Sequence, residues 1–261
     1  MKLITSQDGT AIACWQGGSG DPLLLIHGTT GDHTAWISTL SLLQQHFTVW
    51  TMDRRGRGLS GDNHDYALAR ECEDIAAVVE SIGIRVHVLG HSFGGLCALE
   101  AALLTPNIGK LILYEPSITL TGSNWSAELE NRLQALWQQN AWEESLLLFF
   151  RDLLKTPQAE ISALQSGSGW ISRVAAAHTI LRELQSIDRY VFAPQKFQAL
   201  KNSTLLMIGG DSHKRRFKTA GLLQQCLSHS QRAVLAGQQH SAMRSAPGLF
   251  AQTIIEFLNQ P

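Results

Sequence analysis

Cysteine is scarce in this chain: among 261 residues there are only Cys14, Cys72, Cys97 and Cys226, widely spaced and forming no C-x-x-C pair. That spacing excludes a disulfide framework and a cysteine zinc site, and leaves small buried hydrophobes as the simplest reading. Charge is scarce too. Asp, Glu, Lys and Arg make up 16% of the residues and the formal net charge is −1, so there is neither a basic face for nucleic acid nor an acidic tail. No apolar run approaches the roughly 18 residues of a membrane span, and the N-terminus turns polar at Thr5-Ser6-Gln7-Asp8 before a segment of signal length accumulates. The expectation is a soluble, cytoplasmic protein with no membrane or nucleic-acid partner. Internal repeats and low-complexity segments are missing, and Gly56-Arg57-Gly58 does not lead into the Gly-Lys-Ser/Thr ending of a phosphate loop.

What the chain does have is apolar residues, 44% of the total, enough to bury a substantial core in one large domain. Short apolar runs alternate with amphipathic stretches of helical length, a pattern that predicts an α/β fold: a mostly parallel central sheet flanked by helices. Strands are predicted at 11–15, 23–26, 47–52, 86–89, 110–114, 204–208 and 233–235, and helices at 34–45, 66–82, 94–104, 220–227 and 247–258. From Ser117 to Leu200 the strand signals stop. Leu129, Leu133, Leu136 and Trp137 recur at helical spacing, as do Leu146, Phe149, Phe150 and Leu153. Residues 117–200 are therefore expected to form a helical cap inserted into a core made of 1–116 and 201–261. Trp125, Trp137, Trp142, Phe150 and Trp170 are the aromatics from which a pocket lining could come.

The chemistry is announced by Gly90-His91-Ser92-Phe93-Gly94, set between the apolar run Val86–Leu89 and a helix-like stretch from Leu96. This is a G-x-S-x-G nucleophile elbow in a strand-to-helix context. A serine in so sharp a turn takes an uncommon backbone conformation, so the positions two before and two after it must lack side chains. A serine hydroxyl is a poor nucleophile at neutral pH and needs a base, with a carboxylate to fix that base's tautomer. Behind such an elbow the acid precedes the histidine in the chain. Four histidines follow Ser92: His178 in the cap region, His213, His229, and His240 in the loop Ala236–Ser241 between the last strand and the final helix. His240 is the expected base. Asp211, after the strand 204–208 and two glycines, is the expected acid, although a turn or helix-capping role would also explain it. Glu115, at the end of the preceding strand, is the second choice for the acid, its first reading being a residue that shapes the floor or hinge of the site.

A tetrahedral intermediate also needs main-chain N–H groups aimed at its oxyanion. Phe93, just after the nucleophile, and Thr29, after His27-Gly28, are the expected donors. His27 itself is expected to hold the loop through its ring. No metal and no organic cofactor is called for.

Together His27-Gly28, Asp53-Arg54-Arg55-Gly56-Arg57-Gly58-Leu59-Ser60-Gly61, Gly90–Gly94, Gly209-Gly210-Asp211 and Gly237-Gln238-Gln239-His240 resemble the α/β-hydrolase superfamily over nearly the whole chain outside the cap region. One departure is Gln239, where relatives often carry glycine before the histidine. The resemblance implies that the Asp53–Ser60 segment braces the oxyanion loop, and that Ser92, His240 and Asp211 form a triad acting through an acyl-enzyme on an ester-type carbonyl of a small, partly apolar substrate. Thioester hydrolysis, carbon–carbon bond hydrolysis and cofactor-free perhydrolysis use the same triad. A non-catalytic small-molecule receptor or scaffold on the same fold is the alternative from a different class. Dehalogenase and epoxide hydrolase readings are disfavoured, because those relatives place an aspartate where this chain has Ser92.

Overall fold

The computed structural model of the protein describes residues 1–120 and 125–260. Its centre is one sheet of eight strands: β1 (Lys2–Thr5), β2 (Ala11–Gly17), β3 (Pro22–Ile26), β4 (Thr48–Met52), β5 (Val86–His91), β6 (Ile108–Tyr114), β7 (Thr204–Gly209) and β8 (Ser230–Leu235). The spatial order is β1-β2-β4-β3-β5-β6-β7-β8. β1 and β2 run antiparallel to their neighbours, and β4, β3, β5, β6, β7 and β8 pair in parallel. Every residue of β3 and β7 is buried, as expected of parallel strands covered on both faces.

Helices α1 (Ile37–Leu43), α2 (Leu68–Ile82) and α3 (Phe93–Ala101) connect the first parallel strands, and α9 (Lys214–Cys226), α10 (Ala242–Ser245) and α11 (Pro247–Leu258) follow β7 and β8. Between β6 and β7 come α4 (Ala127–Gln138), α5 (Trp142–Leu148), α6 (Gln158–Gln165), α7 (Trp170–Ala175) and α8 (Ile180–Arg189). Their Leu133, Leu146, Ile180 and Leu184 join the same buried cluster as Leu24, Val88 and Leu96 of the central layers, so this helical segment shares the core rather than forming its own.

Three differences from the sequence reading have simple causes. β1 escapes detection because it is a four-residue edge strand with three exposed residues, so it lacks an apolar face. β8 begins at Ser230 rather than Ala233 because its outer residues are solvated. α9 begins at Lys214, not Ala220, because the run Lys214-Arg215-Arg216 reads as a polar loop yet is helical, started by the His213 ring accepting from the Arg215 N–H at 3.2 Å.

The Asp53–Gly61 turn is organised around one carboxylate. Asp53 accepts from His33 N–H and from the His33 ring at 2.8 Å through one oxygen, and from Leu59 N–H at 2.8 Å through the other. Gly56, Gly58 and Gly61 have the spacing of a dinucleotide loop, but the chain runs on through turns to α2 at Leu68, so no helix N-terminus stands behind them. Gly58 has φ +56°, and a Cβ there would lie 1.9 Å from Asp53 Oδ2. Gly83, the left-handed cap of α2 at φ +77°, has nothing within 4 Å of that point. Gly83→Ala is therefore expected to lower stability by only about 1–2 kcal/mol, the cost of left-handed backbone, and Gly58→Ala by clearly more, as read from urea unfolding midpoints.

Candidate active site

Ser92 stands between β5 and α3 with φ 56° and ψ −120°, a conformation that costs a residue other than glycine on the order of 1–3 kcal/mol. The surrounding glycines are required by contact. A Cβ on Gly90 would come within 2.5 Å of Gly94 O, one on Gly94 within 2.4 Å of His27 O, and one on Gly28 within 2.9 Å of Ser92 Cβ. The Ser92 turn and the His27–Thr30 loop can pack this closely only without those side chains. The Ser92 main chain is tied in from below, its N–H donating to Tyr114 O at 3.0 Å and its carbonyl accepting from Ser117 N–H at 3.0 Å. The Ser92 hydroxyl bonds Ser117 Oγ at 3.2 Å. Ser117 was not anticipated from sequence, where it carried no motif.

His240 reaches the same rim from the loop after β8. Its Nδ1 lies 2.6 Å from Glu115 Oε2, so the ring donates that proton to the carboxylate. Glu115 follows β6 in a left-handed conformation, φ 46°, and is buried. Its other oxygen accepts from Gly209 N–H at 2.8 Å, and Arg216 Nη1 donates to its main-chain carbonyl at 3.2 Å. Burial would raise the Glu115 pKa, but the His240 bond and the charges of His240 and Arg216 outweigh it and hold the carboxyl at about 2. Burial, reinforced by the Arg216 charge, lowers the His240 pKa below 6.5 against the opposing pull of Glu115.

Asp211, the expected acid, is not beside the imidazole. It is exposed, its N–H donates to Gln238 O at 2.9 Å, and its carboxylate bonds none of the described residues. The position facing His240 is filled by Glu115. The physical reason is direction: the bend at Glu115 turns its side chain under the β8–α10 loop, while the turn after β7 carries Asp211 out to solvent.

The His240 loop is pinned from two sides. Tyr114 Oη donates to Gln239 O and accepts from Ala242 N–H at 3.2 Å, and His91 Nε2 donates to His240 O at 2.9 Å. The bulk of Gln239 is accommodated because the chain is held there by its carbonyl, and the Gln239 side chain is exposed.

Thr29 lies on the cavity that contains Ser92, and Phe93 is the first residue of α3. Their N–H groups bond no other described residue. His27, fully buried, donates from Nδ1 to Gly28 O at 2.9 Å and accepts from Arg54 N–H at 3.1 Å, so its ring fixes the loop. Arg54 makes two 3.0 Å bonds to Glu71, a 3.2 Å bond to His27 O, and a pair with Glu183 of α8, which also pairs with Arg57. The helices between β6 and β7 are thus tied to the His27–Thr30 loop by buried charge.

The cavity at Ser92 has a volume of about 370 Å³ and is walled by Ile118, Phe149, Leu153 and Leu184. It adjoins a wider cleft of about 1460 Å³ that reaches His240 and Asp211. Of the candidate aromatics, Trp125 lines both and Phe150 the cleft, whereas Trp170 is packed against Phe150 and donates to Glu143 at 2.8 Å. Among the described residues no cluster of His, Cys, Asp or Glu is placed to hold a metal ion, and no helix is long and apolar enough to cross a membrane.

The sequence pattern of the alpha/beta hydrolase family matches residues 23–253. An alpha/beta hydrolase from Sphaerobacter thermophilus superposes with a TM-score of 0.86 at 29% identity, covering 99% of this chain and all of the other. A pimeloyl-[acyl-carrier protein] methyl ester esterase from Vibrio parahaemolyticus is 26% identical over 249 residues, 93% of this chain and 96% of its own. N-formylmaleamate deformylase from Pseudomonas putida is 34% identical over 110 residues, and that match spans 41% of each chain.

Replacing Tyr114 with Phe removes the hydroxyl that holds the His240 loop and leaves Gln239 O and Ala242 N–H without it. A stability loss of about 1–3 kcal/mol is expected from the unsatisfied groups, measured by urea unfolding.

Proposed function

The chain belongs to the alpha/beta hydrolase family, and we propose that it is a serine hydrolase in which Ser92 attacks an ester-type carbonyl, His240 moves the proton and Glu115 orients His240. The observation that carries this reading is the 2.6 Å bond between His240 Nδ1 and Glu115, at the rim where the strained Ser92 turn presents its hydroxyl. With Nδ1 held by Glu115, the basic nitrogen of the ring is Nε2. The Ser92 hydroxyl, bonded to Ser117 in this structure, turns to Nε2 to give up its proton as its oxygen bonds the carbonyl carbon. The protonated imidazole then donates to the leaving alcohol, and water repeats the sequence to free the acid and restore Ser92.

The N–H groups of Thr29 and Phe93 are the proposed oxyanion donors, each worth on the order of 3 kcal/mol in the transition state. What favours them is that neither is bonded elsewhere among the described residues, while Gly28 packs against Ser92 and sets their separation. In the same reading the helices between β6 and β7, residues 117–200 of the chain, act as a cap: they supply the apolar wall, and Glu183 ties them to the loop that carries Thr29. The apolar wall and modest volume suit a small, partly apolar acyl compound.

Ser92→Ala is expected to abolish turnover of p-nitrophenyl esters and covalent labelling by a fluorophosphonate; unchanged labelling would refute the reading. Glu115→Gln should reduce kcat by about 10³- to 10⁴-fold, as loss of an orienting carboxylate does, and Asp211→Asn by less than about 3-fold if orientation of the base comes from Glu115 alone.

The base must be neutral, and burial lowers its pKa, so kcat/KM should hold below pH 6.5 before it falls. Glu115 favours the protonated ring, so Glu115→Gln should move that acid limb to still lower pH while lowering the plateau. A pH–rate profile of both proteins tests the sign.

A further inference from the structure

The Ser92 cavity has a charge imbalance that ester hydrolysis alone does not explain. Its described lining includes Arg215, Arg216 and Lys218 and no carboxylate, with apolar residues making up most of the remainder. Most cations lining this cavity and the adjoining cleft have acidic partners or lie in water. Arg216 is engaged by Glu115, Arg132 by Asp152 at 3.2 Å and Arg244 by Glu160 at 3.3 Å, and Lys155 and Lys218 are exposed. Arg215 differs from all of these. It is partly buried, lines both spaces, and its guanidinium bonds none of the described residues. The carboxylate that acts on it is Glu115, already held by His240, Gly209 N–H and Arg216. Burial lowers the Arg215 pKa, the mark of a charge with incomplete compensation.

Position adds to the imbalance. Lys214, Arg215 and Arg216 occupy the first turn of α9, where the helix dipole is positive, and that turn holds no acidic residue. Cations there are held against the positive end of the helix dipole. Retaining them beside an apolar cavity makes sense when an anion completes the charge.

We propose that the substrate of this site carries a carboxylate a few bonds from the scissile carbonyl, and that Arg215 receives it by paired N–H donors. This rests on the serine-hydrolase reading and narrows it to acyl compounds with an anionic group, the apolar wall holding the methylenes between the two carbonyl carbons. Arg215 is then a specificity residue, distinct from the reacting groups.

The test compares mono-p-nitrophenyl adipate with its neutral methyl p-nitrophenyl diester, corrected for spontaneous hydrolysis. Wild type should show kcat/KM at least 10-fold higher for the anionic ester, Arg215→Met should bring the ratio to about 1, Arg215→Lys should recover part of it, and Arg132→Met should leave it unchanged. A wild-type preference for the neutral diester, or a ratio untouched by Arg215→Met, overturns the proposal while leaving Ser92 chemistry intact. Independently of turnover, titration calorimetry with monomethyl adipate should show saturable binding to the Ser92→Ala protein that weakens at least 10-fold when Arg215→Met is added. Equal binding to both refutes the anion site. If wild type hydrolyses neither ester and fluorophosphonate leaves Ser92 unlabelled while the calorimetric difference persists, the hydrolase reading fails and the anion site stands.

Discussion

The arrangement turns on a single charge-assisted hydrogen bond, between the His240 ring and the Glu115 carboxylate. It joins two points 125 residues apart and leaves Nε2 as the ring nitrogen not held by the carboxylate. Neither partner is held by that bond alone. Glu115 is braced by Gly209 N–H at the end of β7, and the His240 loop is hung from Tyr114 and His91. Tyr114 and Glu115 are consecutive, as are His91 and Ser92. The ends of β5 and β6 therefore position the candidate site residues and their supports with the same few residues. Parallel strands meeting at one sheet edge supply this economy, since their carboxyl ends gather at a single rim.

Strain and close packing are the counterpart of that precision. Ser92, Glu115 and Thr30 all take positive φ without being glycine; Ser92 and Glu115 line the two cavities, and Thr30 follows Thr29 in the loop packed against Ser92. Such conformations persist only where the surroundings over-determine them. Here the glycines at 28, 90 and 94 let main chains approach within distances that exclude a Cβ, and the buried network of Arg54, Glu71 and Glu183 locks the neighbouring loop to α8. Breaking one partner of such a buried pair is costly, on the order of 3–5 kcal/mol, so the network fixes geometry more than it adds net stability.

Much of this was legible in the sequence because it is local. The elbow motif, the buried parallel strands and the loop histidine after the last strand each announce themselves within about ten residues. The choice between Asp211 and Glu115 is not local. Both follow a strand end in the right chain order, and Asp211 has the more conventional setting after two glycines. What separates them is a backbone angle at Glu115 and the way the β7–α9 turn opens to solvent. Ser117 and Arg215 were invisible for a related reason. One sits in a stretch without periodicity, and the other in a basic run that reads as a solvated loop until the fold places it beside an apolar cavity.

The most direct test of the account is proton NMR of the imidazole N–H held between His240 and Glu115. A strongly downfield resonance that vanishes on substitution of His240 and in Glu115→Gln, and persists in Asp211→Asn, is the predicted result. A resonance that survives Glu115→Gln and is lost in Asp211→Asn would contradict the pairing from which the rest follows.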